Sequence, residues 1–112
     1  MSGARDPPLL RAVFRTVEAY AGKLRLSVDY DGSTATIRAK DHDTGELLGA
    51  VHVTKYTTEN GREAYGVSAW LAGGVRDERA ALVKRLVKKL ERELEKVGLL
   101  KRRAEKEAEK SA

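Results

Sequence analysis

The chemistry open to this chain begins with two histidines, His42 and His52, and proceeds without a single cysteine. Disulfides, thiolate nucleophiles and Cys-based zinc or iron–sulfur sites are therefore excluded, and a reducing compartment suits the sequence. His42 sits in an Asp41-His42-Asp43 run, but neither histidine has a third ligand at a recognised metal spacing. That run reads as a solvated turn, and no metal or cofactor is expected. The Gly73-Gly74 pair lacks the Gly-x-Gly-x-x-Gly and Walker patterns and their lysine, so it is a flexible approach to a helix and no phosphate cradle. Glu91, Glu93 and Glu95 point in different directions around a helix axis and read as surface charges. What is left is His52 with Ser68, a base and a nucleophile of the kind acyl transfer uses, with Asp29 as a distant orienting group.

Whether those side chains meet depends on the elements that carry them. From Leu24 to Leu71 the apolar period is two, and three turn signals, Asp31-Gly32, Asp43-Thr44-Gly45 and Glu59-Asn60-Gly61, cut the segment into four strands. A two-residue Asp31-Gly32 loop sets Val28 opposite Ala35, Leu26 opposite Ile37 and Leu24 opposite Ala39. Gly45 and Gly61, as left-handed residues of three-residue bulge loops, set Ile37 opposite Val51 and Val53 opposite Val67. A shorter Asn60-Gly61 loop would face Val53 with Ser68 and split the apolar set, because a one-residue slip inverts a strand. The sheet is then an antiparallel meander of order 1-2-3-4.

Helices flank it. Asp6 is placed as N-cap with Pro7 at the first helical position, and Leu10, Val13, Val17, Tyr20 and Ala21 recur at helical spacing beside Phe14. A second helix opens after Gly73-Gly74 with Asp77 as N-cap and buries Val83, Leu86, Val87, Leu90, Leu94 and Val97. Gly98 stops it, with Leu99 and Leu100 folding back over its end. Both helices have one apolar side and the sheet has one strongly apolar face. The fold class is therefore α+β, a two-layer sandwich of topology αββββα with both helices on one face. Residues 1–98 form a single domain and 99–112 a charged, frayed helical tail. No run of 18 apolar residues exists, and Met1 to Pro8 lack the apolar stretch of a signal peptide, so no membrane contact is expected.

The opposite sheet face is where residue choice exceeds what folding needs. It aligns Ser27, Thr36, His52 and Ser68 in one cross-strand row and Arg25, Arg38, Ala50 and Trp70 in the next, with Asp29, Thr34, Thr54 and Gly66 on the other side. Leu48, Tyr56 and Trp70 surround small residues there. The candidate binding face is thus Thr36, Arg38, His52, Tyr56, Ser68 and Trp70, a shallow recess with hydrogen-bonding groups and Arg38 as a cation–π lid over Trp70. A small molecule, a protein or a second copy are the partners such a face suits. Adjacent side chains are common to every sheet and no oxyanion hole is visible, so catalysis is not expected.

The net charge of +5 lies entirely in residues 76–112, because residues 1–75 balance nine Lys/Arg against nine Asp/Glu. On the last helix Lys84, Arg85, Lys88, Lys89, Arg92 and Lys96 interleave with Glu91 and Glu95, without an aromatic stacking platform. The order helix, antiparallel strands, basic helix is similar to the double-stranded-RNA-binding domain, and Gly73-Gly74 with Ala80-Ala81 adds to the likeness. That family has three strands and opens its last helix with a lysine pair, where this chain has Asp77-Glu78, carboxylates that repel phosphate. Nucleic acid is set aside.

Glutamine is absent, Asn60 is the single asparagine, and Lys84 to Lys96 is written almost entirely in Leu, Val, Lys, Arg and Glu. Every loop uses an idealised turn sequence and each helix has a start and a stop signal. Met1-Ser2-Gly3 looks like an expression-vector leader. Over its whole length the chain resembles computationally designed proteins, with a charge-rich thermophile protein as the other source of such a composition. The resemblance implies a scaffold without natural activity, or alternatively a designed binding module.

Overall fold

In a computed structural model, residues 8–100 are described as α1 (Pro8–Tyr20), β1 (Leu24–Tyr30), β2 (Thr34–Asp41), β3 (Leu47–Thr57), β4 (Glu63–Leu71) and α2 (Asp77–Lys96). The strands form one antiparallel sheet in the order β1-β2-β3-β4, the α+β fold of topology αββββα expected from the periodicity. Asp6, Pro7 and the charged tail from Lys101 onward lie outside the described residues.

One face of the sheet and both helices share a single core. Leu24, Ala35, Ile37, Ala39, Val51, Val53 and Tyr65 from the strands meet Leu9, Ala12 and Val13 of α1 and Val83, Leu86, Leu90 and Leu94 of α2. The second helix lies against β3 and β4, and α1 packs on α2. Coverage thins at the margins: Tyr30, Ala69 and Leu71, on the same face of the sheet, are exposed.

Three hairpins carry the register. Between β3 and β4, Gly61 has φ +79° and Val53 pairs with Val67, as the bulge-loop reading requires. Ile37 pairs with Val51 as expected, but by another route. Asp41 N–H donates to the Glu46 carbonyl, so the β2–β3 connection is four residues long. The compensating extra residue is Leu48, in a bulge opposite Ala39 and Lys40. The bulge turns Leu48 into the core, fully buried, which corrects its placement on the opposite face.

The first hairpin differs from expectation by two residues. Asp31 N–H donates to the Thr34 carbonyl, leaving Gly32-Ser33 as the loop, with Gly32 at φ +100°. Val28 therefore pairs with Ile37, Leu26 with Ala39 and Leu24 with Asp41. The cause is the Asp31 carboxylate, which accepts the N–H groups of Ser33 (3.0 Å) and Thr34 (2.8 Å) and so holds Asp31 ahead of the turn. A shift of two keeps every side chain on its expected face.

Both helices depart from their expected phase or start. The buried line of α1 is Leu9, Ala12, Val13 and Thr16, while Phe14 is 48% exposed and Ala21 lies outside. Thr16 is admitted to the core because its hydroxyl donates to the Ala12 carbonyl at 2.9 Å. In α2 the N-cap is Arg76 and not Asp77, which instead begins the helix at φ +58°, a conformation Asp tolerates better than most residues. Its C-terminus follows expectation: Gly98, at φ +74°, donates to the Glu95 carbonyl and Leu99 to that of Leu94, the paired bonds of a Schellman stop. Tyr65 N–H then donates to the Leu99 carbonyl, so Leu99–Leu100 runs parallel to β4 along its outer edge.

Candidate functional site

The even-numbered positions of β2, β4 and most of β3 face away from the helices, and Thr36, Arg38, His52, Tyr56, Ser68 and Trp70 all lie on that face. Register decides which of them meet. Thr36 pairs with His52 and His52 with Ser68, and the corrected first hairpin brings Asp29, rather than Ser27, opposite Thr36. The central row is therefore Asp29-Thr36-His52-Ser68. The next is Ser27-Arg38-Ala50-Trp70.

Within the central row the contact formed is between Thr36 Oγ1 and His52 Nδ1, at 3.2 Å. No hydrogen bond joins His52 to Ser68. Asp29 accepts a hydrogen bond from Arg38 Nη1 as an ion pair between β1 and β2. That bond takes Arg38 toward β1, whereas Trp70 stands on β4, so the expected cation–π lid is not formed.

The apolar part of the face is open. Trp70 is 45%, Tyr56 37% and Leu47 36% exposed, and Leu47 joins them because the bulge at Leu48 reverses the parity of β3. The small residues between them leave less of a recess than expected. A Cβ on Gly66 would fall 2.7 Å from Tyr56 Cε2, so the Tyr56 ring already lies over that glycine. Ala50 and Ala64 are buried although, among the described residues, no element covers this face, which requires their larger neighbours to lean across them.

The turn carboxylates serve local structure. Asp41 Oδ2 accepts the N–H groups of Thr44 (2.9 Å) and Asp43 (3.1 Å), and these bonds, with Thr44 foremost, hold its carboxyl below the usual range. Asp31 is lowered in the same way, first by Ser33. His42 Nδ1 lies 3.6 Å from Asp43 Oδ1. Among the described residues no three His, Asp or Glu side chains are grouped to hold a metal ion.

One charged group was misread from sequence. Glu93 is only 4% exposed, in a cleft of about 200 Å³ lined by Pro8, Arg11, Ala12, Arg15, Lys96 and Val97 between the two helices. Lys89 Nζ and Lys96 Nζ approach its Oε2 at 3.0 and 3.2 Å, with Arg15 Nη1 3.9 Å from Oε1. Hydrogen bonding from Lys89 leads in holding its carboxyl below the usual range, against burial. The signal was present: Glu93 follows Leu86 by seven residues and Leu90 by three, on the apolar stripe.

The fold and this face define a two-layer α+β domain with one sheet surface left uncovered by the described residues. The chain matches no family model, and comparisons with curated proteins and solved structures return no match either. No natural family is matched. Among the described residues no helix is long and apolar enough to cross a membrane.

Proposed function

We propose that the chain is a designed α+β scaffold without catalytic activity of its own. The observation that carries this reading is the environment of His52. Its Nδ1 is engaged by Thr36, no hydrogen bond prepares Ser68 as a nucleophile, and both stand in mid-strand. Backbone N–H groups there are directed along the sheet into neighbouring strands, so they offer nothing to a developing oxyanion above the face. The design origin is supported by the idealised turns, with a positive-φ glycine in every connection after β1, and by the absence of a family match. Hydrolysis of an activated ester at the buffer rate, unchanged by His52→Ala or Ser68→Ala, is the expected result. A rate above buffer that falls with either substitution would overturn the reading.

A second reading is favoured by the exposure of Leu47, Tyr56 and Trp70 on one face that no other described element covers. It is a binding module, for a small molecule or a protein, anchored on Trp70 with Thr36, Arg38, His52 and Ser68 as polar contacts. Trp70 is the single tryptophan, so its emission reports directly on this surface. Trp70→Ala weakens such binding while leaving the unfolding midpoint nearly unchanged, because an anchor contributes most where a partner excludes water.

A further inference from the structure

The two edges of the sheet are treated differently. Leu99–Leu100 lies along the edge of β4, whereas among the described residues nothing pairs with the outer side of β1. Exposed edges are normally blunted by proline, lysine, a bulge or a charge pointing inward. Leu24–Tyr30, Leu-Arg-Leu-Ser-Val-Asp-Tyr, has no proline, lysine or bulge, and its two charges, Arg25 and Asp29, of opposite sign, both stand on the face away from the helices. We propose that β1 is a homodimerisation edge, pairing antiparallel with β1 of a second copy to make a continuous eight-stranded sheet with its two-fold axis at Ser27.

Three observations select the second copy as occupant. The first is hydrogen-bond parity. The Asp31 to Thr34 bond closes the first hairpin, so bonded pairs toward β2 fall at Asp29, Ser27 and Arg25. The N–H and C=O groups of Leu24, Leu26, Val28 and Tyr30 are consequently directed outward. A register centred on Ser27 joins Leu26 to Val28 and Leu24 to Tyr30 of the other copy, all outward-bonding positions.

The second is charge. The same register sets Arg25 of each copy opposite Asp29 of the other, at non-hydrogen-bonded sites where side chains approach most closely. Each group already has a partner on the β2 side of the strand, which the intermolecular pair has to share or replace. Arg25 Nε donates to the His42 carbonyl at 2.9 Å, and Asp29 accepts from Arg38. The third is apolar surface: Leu26 and Val28 are only half-buried and Tyr30 is 37% exposed, and all three stand on the helix side of the sheet at this margin. Pairing covers them. An edge of seven residues per copy is a small interface, below about 1,200 Å², so the dimer dissociates on dilution.

Sedimentation equilibrium of the full chain tests this. The expected mass rises from monomer toward dimer with concentration. Arg25→Glu sets Glu against Asp29 twice per dimer and Asp29→Lys sets Lys against Arg25 twice, so each variant alone stays monomeric. Mixed in equal amounts they restore both opposite-charge pairs and sediment as a heterodimer. Should Asp29→Lys unfold through loss of its Arg38 contact, Ser27→Cys gives an independent measurement. The chain has no other cysteine, and facing Cα atoms at a non-hydrogen-bonded pair, about 4.5 Å apart, are within disulfide reach. Rapid oxidation to a covalent dimer at Ser27→Cys, with none at the control Ser68→Cys, supports the edge. A monomeric mass at all concentrations, cross-linking at Ser68→Cys in place of Ser27→Cys, or undiminished association of both charge variants overturns it.

Discussion

At the scale of single residues, two carboxylates act as staples for the turns they begin. Asp31 and Asp41 each accept two backbone N–H groups, which lowers both carboxyls in the folded state. A group depressed on folding adds stability above its unfolded pKa and loses it as pH falls through the folded one. Acidification below about pH 4 therefore weakens the fold, and in Asp31→Ala and Asp41→Ala the loss of stability with acid is shallower, measured by urea midpoints at successive pH values. Two glycines provide a second contrast. A Cβ on Gly49 would lie 2.3 Å from the Trp70 carbonyl oxygen, a backbone atom that cannot step aside, whereas at Gly66 the obstacle is the Tyr56 ring, at the end of a flexible side chain. Gly49→Ala is expected to cost about 1–3 kcal/mol and Gly66→Ala less, in the same denaturation series. Equal costs would mean that the Trp70 backbone yields as easily as a ring.

At the scale of elements, the bulge in β3 is the feature to test. Leu48 is wholly buried, so Leu48→Ala should destabilise by about 2–5 kcal/mol, while Leu47→Ala, one residue away and on the uncovered face, costs little. Equal sensitivity would place both on one side. The same bulge marks where the sequence stopped being legible. Matching valines located the β2–β3 and β3–β4 pairs correctly, because apolar side chains that must share a face leave few registers open. They could not tell whether the extra residue of β3 sat in the loop or within the strand, since both give the same pairing at Val51. In the first hairpin the turn signal Asp31-Gly32 was visible but its frame was not: the carboxylate bonding of Asp31 moved the loop to Gly32-Ser33, and Asp29 entered the row of Thr36, His52 and Ser68. Thr36, Arg38, His52, Tyr56, Ser68 and Trp70 share one face because the β2–β3 and β3–β4 registers came out as the apolar pattern required over these positions. Glu93 was missed because a single charge among Lys89, Arg92 and Lys96 looks like surface until the α1 contact is known.

At the scale of the molecule, the two helices meet across that carboxylate. A buried ion pair offsets its Coulomb attraction with desolvation, so an apolar replacement of similar volume is often neutral or better, whereas truncation leaves a gap. Glu93→Met should leave the chemical denaturation midpoint unchanged or raised, and Glu93→Ala should lower it, with Arg11→Ala as a control on the cleft rim. A lowered midpoint for Glu93→Met would assign the carboxylate a net stabilising part in joining the helices. Because Lys89 and Lys96 are on α2 itself and only Arg15 crosses from α1, at 3.9 Å, the attraction between the helices rests chiefly on their apolar contact.

That the first and last elements pack on each other, with a chain of adjacent hairpins between them, also orders events in time. Each strand pairs with its sequence neighbour through a short loop, while α1 and α2 are separated by the whole sheet, and closing that long span carries the larger entropic cost. The meander is therefore expected in the folding transition state and the docking of α1 after it. Leu9, buried at the start of α1, reports on that late event: Leu9→Ala should speed unfolding in stopped-flow chevrons and leave the refolding limb almost unmoved, whereas Ile37→Ala slows refolding. A refolding rate depressed as strongly by Leu9→Ala as by Ile37→Ala would mean that the chain ends find each other first.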